Sequence, residues 1–224
     1  MGAVDAVIVT GAAGALGHAV VAEFRSRGRE VVALDRAGEH LDAMGRQDGV
    51  HALAADLSAR AAVQDAFDRI PVACDALVGL AGGFTPGSLA DVDEETLESL
   101  WRSNFGSALW TAQAAVGLFG DGGSIVTVGS KTAVEGPAPV AHATSKAAVV
   151  RLTQLLAAEL RPRRIRVNAV LPSVIDTPAN RSWMSEDLAA RAVAPAAIAK
   201  VIAFLCGPDA APISGAAIPV YGDA

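Results

Sequence analysis

A single tyrosine, Tyr221, stands in a chain of 224 residues. Cysteine is almost as scarce. Cys74 and Cys206 have no metal-ligand spacing and read as two reduced thiols in apolar segments. Histidines 18, 40, 51 and 142 are scattered, so neither a metal cluster nor a Cys–His nucleophile pair is expected. Basic residues number 18 against 24 acidic ones, a formal charge of −6, and they form no run. That balance excludes nucleic acid and acidic membrane surfaces as expected partners. No apolar stretch has the length and purity of a membrane span. The N-terminus lacks a basic leader and a cleavage site, and a cytoplasmic protein is the expectation.

Hydrophobic residues make up 52% of the chain and charged residues 19%, enough to build a large core. The length favours one domain, residues 1–224. Strand-like runs fall at 6–10, 30–35, 51–54, 76–80, 124–128 and 165–171, with a weaker one at 216–220. They are continuous Val, Ile, Leu and Ala runs, the pattern of strands covered on both faces of a parallel sheet. Helical patterns lie between them, at 15–27, 59–69, 95–116, 141–160 and 196–205. Ser58 is an expected N-cap, Gly106 an expected break or close-packing point, and Pro195 and Gly207 bracket the last helix. This alternation predicts an α/β, doubly wound parallel sheet of the Rossmann type with helices on both faces. The polar stretch 176–194 carries Pro178, Trp183 and Met184 and reads as a loop with a short helix, a candidate substrate lid.

Residues 7–17 read Val-Ile-Val-Thr-Gly-Ala-Ala-Gly-Ala-Leu-Gly, three glycines between a strand and a helix. Gly11 suits the tight turn, Gly14 close approach of a pyrophosphate, and Gly17 helix–strand packing. The free N–H groups of the helix start, around Ala13, Ala15 and Leu16, suit the phosphates. Asp35 ends the second strand, where a carboxylate accepts from the adenosine ribose hydroxyls and repels a 2′-phosphate. Arg36 follows it and pulls toward NADP(H), yet NAD(H) is favoured over NADP(H). Asp56, with Leu57, suits the adenine edge or, equally, the start of the next helix.

Taken together, Thr10–Gly17, Asp35, Asp56-Leu57, Leu80-Ala-Gly-Gly83, Asn104, Ser130, Ser145-Lys146, Val167-Asn168 and Pro172…Thr177-Pro178 resemble the short-chain dehydrogenase/reductase family over essentially the whole chain. Within it, Ala81-Gly82-Gly83-Phe84 and residues 176–184 look like dihydropteridine reductases. The resemblance implies a homodimer or homotetramer, packed through helices 95–116 and 141–160, acting on a small molecule. It implies that Lys146 holds the nicotinamide ribose, Ser130 orients the substrate oxygen, and Asn104 holds a relay water. It also places Ala81, Gly82, Gly83, Pro172, Ile175 and Thr177 against the cofactor.

One departure matters. The family's catalytic tyrosine position is His142, and Tyr221 lies outside the motif. His142 and Lys146 are four apart and share a helix face. Imidazole can do acid–base work near neutrality. It is shorter than a phenol, however, and the Lys146 ammonium and the helix N-terminus both favour its neutral form, a weak acid. Three readings follow: acid–base service by His142, hydride transfer to a substrate needing no strong protein acid, or a pocket histidine with no chemistry. The first two make the chain an NAD(H)-dependent oxidoreductase on a carbonyl, alcohol or cyclic imine; the third leaves a nucleotide-binding sensor or scaffold, or a non-redox isomerase or cyclase.

Overall fold

Most of the chain's apolar runs become strands sealed from both sides; those at 50–54 and 217–220, at the two edges of the sheet, are only partly covered. In the computed structural model, which describes residues 6–223, the order begins β1 (Ala6–Thr10), α1 (Ala15–Ser26), β2 (Val31–Asp35), α2 (Glu39–Gly45), β3 (Val50–Ala54) and α3 (Arg60–Asp68). It continues with β4 (Cys74–Gly79), α4 (Glu94–Leu100), α5 (Ser107–Leu118), β5 (Gly123–Val128), α6 (Val140–Glu159) and β6 (Ile165–Pro172). It closes with α7 (Pro178–Arg181), α8 (Glu186–Arg191), α9 (Pro195–Cys206) and β7 (Ala217–Val220). The seven strands form one sheet in the order β3-β2-β1-β4-β5-β6-β7, and every neighbouring pair is parallel.

Alternate residues of each strand feed opposite layers. Val7, Val9, Val31, Ala33 and Val126 pack under Val20 and Phe24 of α1 and Ile198 and Ile202 of α9. Ile8, Val32, Leu34, Leu77 and Ile125 face the other way, against Val63 and Phe67 of α3, Ala112 and Ala115 of α5 and Ala157 of α6. Each fully buried Val, Leu, Ile or Phe among them contributes about 1.5–3 kcal/mol of transfer free energy.

Several local expectations change. The helix expected over 95–116 starts at Glu94, capped by the Asp93 carboxylate on the Thr96 N–H, and passes through a π-helical turn at Trp101–Gly106. Gly106 therefore marks a break. It is not a close-packing point within the chain, because a Cβ there would meet its neighbours at 3.6 Å or more. Ser58 does not cap α3; its hydroxyl donates to Asp56 and the N-cap is Ala59. Helix α2 had no sequence signal, since seven residues with Leu41 and Met44 buried are too few for a helical period to emerge. The 176–194 stretch holds two short helices, α7 and α8, and is pinned at its ends by a bridge from Ile175 to Val193. Among the described residues no helix is long and apolar enough to cross a membrane, and no group of His, Cys, Asp and Glu is placed to hold a metal.

Candidate functional site

The chain reverses its direction of strand addition at β1. β2 and β3 lie on one side of it and β4 to β7 on the other, so a crevice opens beyond the carboxyl ends of β1 and β4. A cavity of about 1140 Å³ occupies it. Gly11, Ala13, Gly14, Asp35, Arg36, Asp56, Leu57, Ala81, Gly82 and Gly83 all line it.

The glycines hold this crevice in shape. Gly11 has φ +66°, and a Cβ on it would lie 2.8 Å from the Ala81 nitrogen. A Cβ on Gly17 would overlap the carbonyl oxygens of Gly11 and Ala12. At Gly14 a Cβ would meet only the Gly11 oxygen, at 3.4 Å. Nothing in the fold itself fills the Gly14 site, which fronts the cavity at the N-cap of α1. The first-turn N–H groups that follow have no partners within the helix. That cradle fits a dinucleotide pyrophosphate. Gly17→Ala is expected to destabilise the fold by about 1–3 kcal/mol as an overpacking change, and to weaken cofactor binding by displacing the loop. Thermal unfolding and NADH titration of the variant read both effects.

Asp35 is drawn into the loop. Its Oδ2 accepts from the Ala13 N–H at 2.9 Å and its Oδ1 from the Arg36 N–H at 2.7 Å. Each oxygen keeps a lone pair toward the cavity. Asp56 accepts from the N–H and hydroxyl of Ser58, and these bonds, then Arg102 and Arg36, hold its carboxyl below the usual range. Thr10 ties the two sides of the crevice together, since its hydroxyl accepts from the Leu80 and Ala81 N–H groups at 3.2 and 3.3 Å. The sequence reading gave neither Thr10 nor Arg102 a role. Arg102 carries no motif, and the π turn brings it to the cavity wall. Leu16 and Gly17 support the loop from behind: Leu16 packs on the core and Gly17 is buried, while Ala15 is exposed beside them.

The expected catalytic residues Asn104 and His142 converge on the peptide of Gly83. Asn104, buried in the π turn, clasps that residue from both sides. Its Oδ1 accepts from the Gly83 N–H at 2.9 Å and its Nδ2 donates to the Gly83 carbonyl at 3.2 Å. The remaining Nδ2 proton goes to the Ser145 hydroxyl at 2.9 Å, so the Asn104 side chain is committed to protein partners. His142 Nδ1 lies 3.2 Å from the same Gly83 carbonyl, and Phe84 packs edge-on to the imidazole, ring centroids 4.9 Å apart. Lys146, one turn further along α6, donates from Nζ to the Val128 carbonyl at 3.0 Å. A Cβ on Gly82 would lie 3.2 Å from that Nζ. Among the described residues, two of the three Nζ protons carry no protein partner.

Ser130 stands two residues beyond β5, and its hydroxyl accepts from the Thr132 N–H, capping a 3-10 turn. No hydrogen bond joins it to His142, Lys146 or Asn104 among the described residues. Pro172, Ile175 and Thr177 form a separate wall at the end of β6 and outside the cavity. The Thr177 hydroxyl accepts from the Asn180 N–H and the Ile175 carbonyl takes the Asn180 amide. Tyr221 is no stand-in for the missing phenol. Its ring lies over Lys131, and burial together with Glu135 pushes its pKa up.

Burial sets the electrostatics of the His142 pair. It pushes Lys146 down to about 8 from 10.5. Burial, then the Lys146 ammonium, hold His142 below its ordinary 6.5, against a smaller upward pull from the Gly83 bond. The arrangement can hold a ribose and receive a proton on an imidazole.

The model of the enoyl-(acyl carrier protein) reductase family matches residues 11–222. The meso-2,3-butanediol dehydrogenase of Serratia marcescens is 30% identical over 97% of this chain and 93% of its own. The 3-ketoacyl-(acyl-carrier-protein) reductase of Brucella melitensis, solved with NADH, superposes with a TM-score of 0.88 at 28% identity, covering 97% of both chains. A blue fluorescent protein from a metagenomic library, solved with NADPH, superposes at 0.85 and 28% identity over the same shares.

Proposed function

Because the chain belongs to the short-chain dehydrogenase/reductase family, we propose that it is an NAD(H)-dependent oxidoreductase, moving hydride between the nicotinamide and a small alcohol, carbonyl or cyclic imine, with His142 exchanging the proton. The observation that carries this is the convergence of Asn104, His142 and Lys146 on the Gly82–Gly83 loop at the wall of the cavity.

Gly11, Gly14 and the first turn of α1 would hold the pyrophosphate, Asp35 the adenosine ribose, and the two free Nζ protons of Lys146 the nicotinamide ribose. The bound cofactor supplies a hydride acceptor or donor. Ser130 orients the substrate oxygen once the 3-10 turn it caps accommodates a ligand. Ile175 and Thr177 face the carboxamide. Residues 176–194 close over the substrate. Phe84 and Trp183, both 58% exposed, offer ring faces to a flat substrate of the pterin kind. Leu97 and Trp101 of the α4 region and Leu155 of α6, each at least 43% exposed, support assembly as a homodimer or homotetramer through these helices.

The cofactor choice rests on Asp35. Asp35→Ala removes the ribose acceptor and the charge that repels a 2′-phosphate. NADH affinity is expected to fall about tenfold, the value of one charge-assisted hydrogen bond, while NADPH affinity rises. Titration of both nucleotides checks it, and an unchanged ratio would sink the NAD(H) assignment. Turnover itself is read by nicotinamide absorbance over a panel of small alcohols, ketones and cyclic imines. Tight nucleotide binding with no turnover across the panel counts against the oxidoreductase reading.

A further inference from the structure

A carbonyl oxygen has lone pairs and no proton. The 3.2 Å contact between His142 Nδ1 and the Gly83 oxygen is therefore a hydrogen bond only when Nδ1 carries the proton. The Gly83 oxygen has two lone pairs and two donors, Asn104 Nδ2 and His142 Nδ1. Its orientation is set by Asn104, which grips the N–H as well as the carbonyl of that one residue. The edge-on Phe84 ring limits rotation of the imidazole.

Neutral imidazole carries one proton. With that proton on Nδ1, Nε2 bears a free lone pair on the opposite side of the ring. Among the described residues no protein group bonds to Nε2, and it is not an enclosed atom left without a partner: the one such side-chain atom is Ser124 Oγ. Nε2 thus keeps a lone pair that can accept.

We propose that Asn104, acting through the Gly83 carbonyl, locks His142 in its Nδ1–H tautomer, so that Nε2 receives the hydroxyl proton of an alcohol substrate. Asn104 is then a positioning residue and His142 Nε2 the base. This rests on the oxidoreductase reading above, and narrows its substrate from carbonyl, imine or alcohol to a hydroxyl-bearing compound met by its O–H. In the step, the alcohol O–H bond breaks and its proton goes to Nε2. The carbinol C–H bond breaks and its hydride goes to the oxidised nicotinamide. The C=O double bond forms, and the imidazolium later releases its proton to water. The charged group bearing on the imidazole is Lys146 of the same helix; the loop packed on it presents a peptide carbonyl and a phenyl ring, and the π turn presents the neutral Asn104.

The test is long-range ¹H–¹⁵N correlation of the histidine rings in the whole ¹⁵N-labelled chain, above the pKa of His142. The four histidines are told apart by the spectrum lost in His142→Phe. A protonated Nδ1 and a bare Nε2 on His142 are expected. An Nε2–H tautomer, or averaged ring signals, would overturn the proposal. Asn104→Leu, which frees the Gly83 peptide, should give mixed tautomers and lower kcat for alcohol oxidation on the order of ten- to a hundredfold. Asn104→Asp, which keeps the acceptor for the Gly83 N–H and loses the donor, provides a second variant should the first fold poorly. An unmixed Nδ1–H signal in a folded variant removes Asn104 from the mechanism. The spectrum needs no turnover. A locked tautomer in a chain that oxidises nothing leaves this geometry standing and defeats the functional reading; the reverse result, turnover of alcohols with Nε2–H, defeats the tautomer and leaves the function.

Discussion

His142→Phe is expected to lower kcat/KM for alcohol oxidation about 10²–10⁴-fold, the usual contribution of a positioned acid–base group, with NADH affinity retained. The ring keeps its edge contact with Phe84 in the variant, so packing is nearly conserved and the loss reports the proton acceptor. The pH dependence follows from the same group. Oxidation needs neutral imidazole, so its kcat/KM falls on the acid side as pH drops through the His142 pKa, which burial and Lys146 hold below 6.5. Reduction needs imidazolium, so it weakens as pH rises through the same point. An alkaline limb is expected near 8, where Lys146 gives up its charge. An oxidation profile with no acid limb at any pH where the chain stays folded would rule out His142 as the base. His142→Tyr supplies a group that carries its proton at neutral pH. It should restore carbonyl reduction at neutral pH relative to the phenylalanine variant, provided that Ser130 and Lys146 are in place.

The glycine-loop wall of the cavity was legible because its determinants are local. Gly11, Gly14 and Gly17 lie within one strand–turn–helix unit, and Asp35 ends the next strand, so spacing along the chain maps directly onto space. The convergence of the expected catalytic residues is non-local. His142 and Lys146 could be placed on one helix face, but nothing in the spacing shows that Asn104 and His142 meet at Gly83, 21 and 59 residues away. Gly83 acts through its peptide, which has no side-chain signature to read. The π turn that aims Asn104 was invisible for a related reason. Residues 95–116 satisfy helical periodicity throughout, and a one-residue change of hydrogen-bond register leaves that pattern nearly intact. Ser130 shows the opposite limit: its motif position was readable, whereas its bond to Thr132 is a choice made by the local turn.

Lys146→Met is expected to raise stability while abolishing turnover. Lys146 is 8% exposed, and burial holds its pKa at about 8 where the unfolded chain has 10.5. The folded state therefore disfavours the ammonium. The sign is that of a depressed cation. Below about 8 the lysine is charged in both states and the fold bears the whole penalty. As pH rises from 8 toward 10.5 the folded lysine deprotonates first and the penalty is relieved; above 10.5 it is gone. At 1.36 kcal/mol per pH unit the penalty at neutral pH is about 3 kcal/mol. Losing the bond to the Val128 carbonyl offsets roughly 1 kcal/mol of that. A methionine of similar length fills the space without a charge. The net gain of about 2 kcal/mol corresponds to a rise in Tm of about 4–8 °C for a chain of this size. The gain should shrink in scans above pH 8, as the wild type sheds its own penalty. No gain at pH 7, with the chain folded, would mean that the ammonium is solvated or paired. A gain that disappears on the alkaline side would tie the cost directly to a buried ammonium, a stability–function trade of the kind active sites commonly hold.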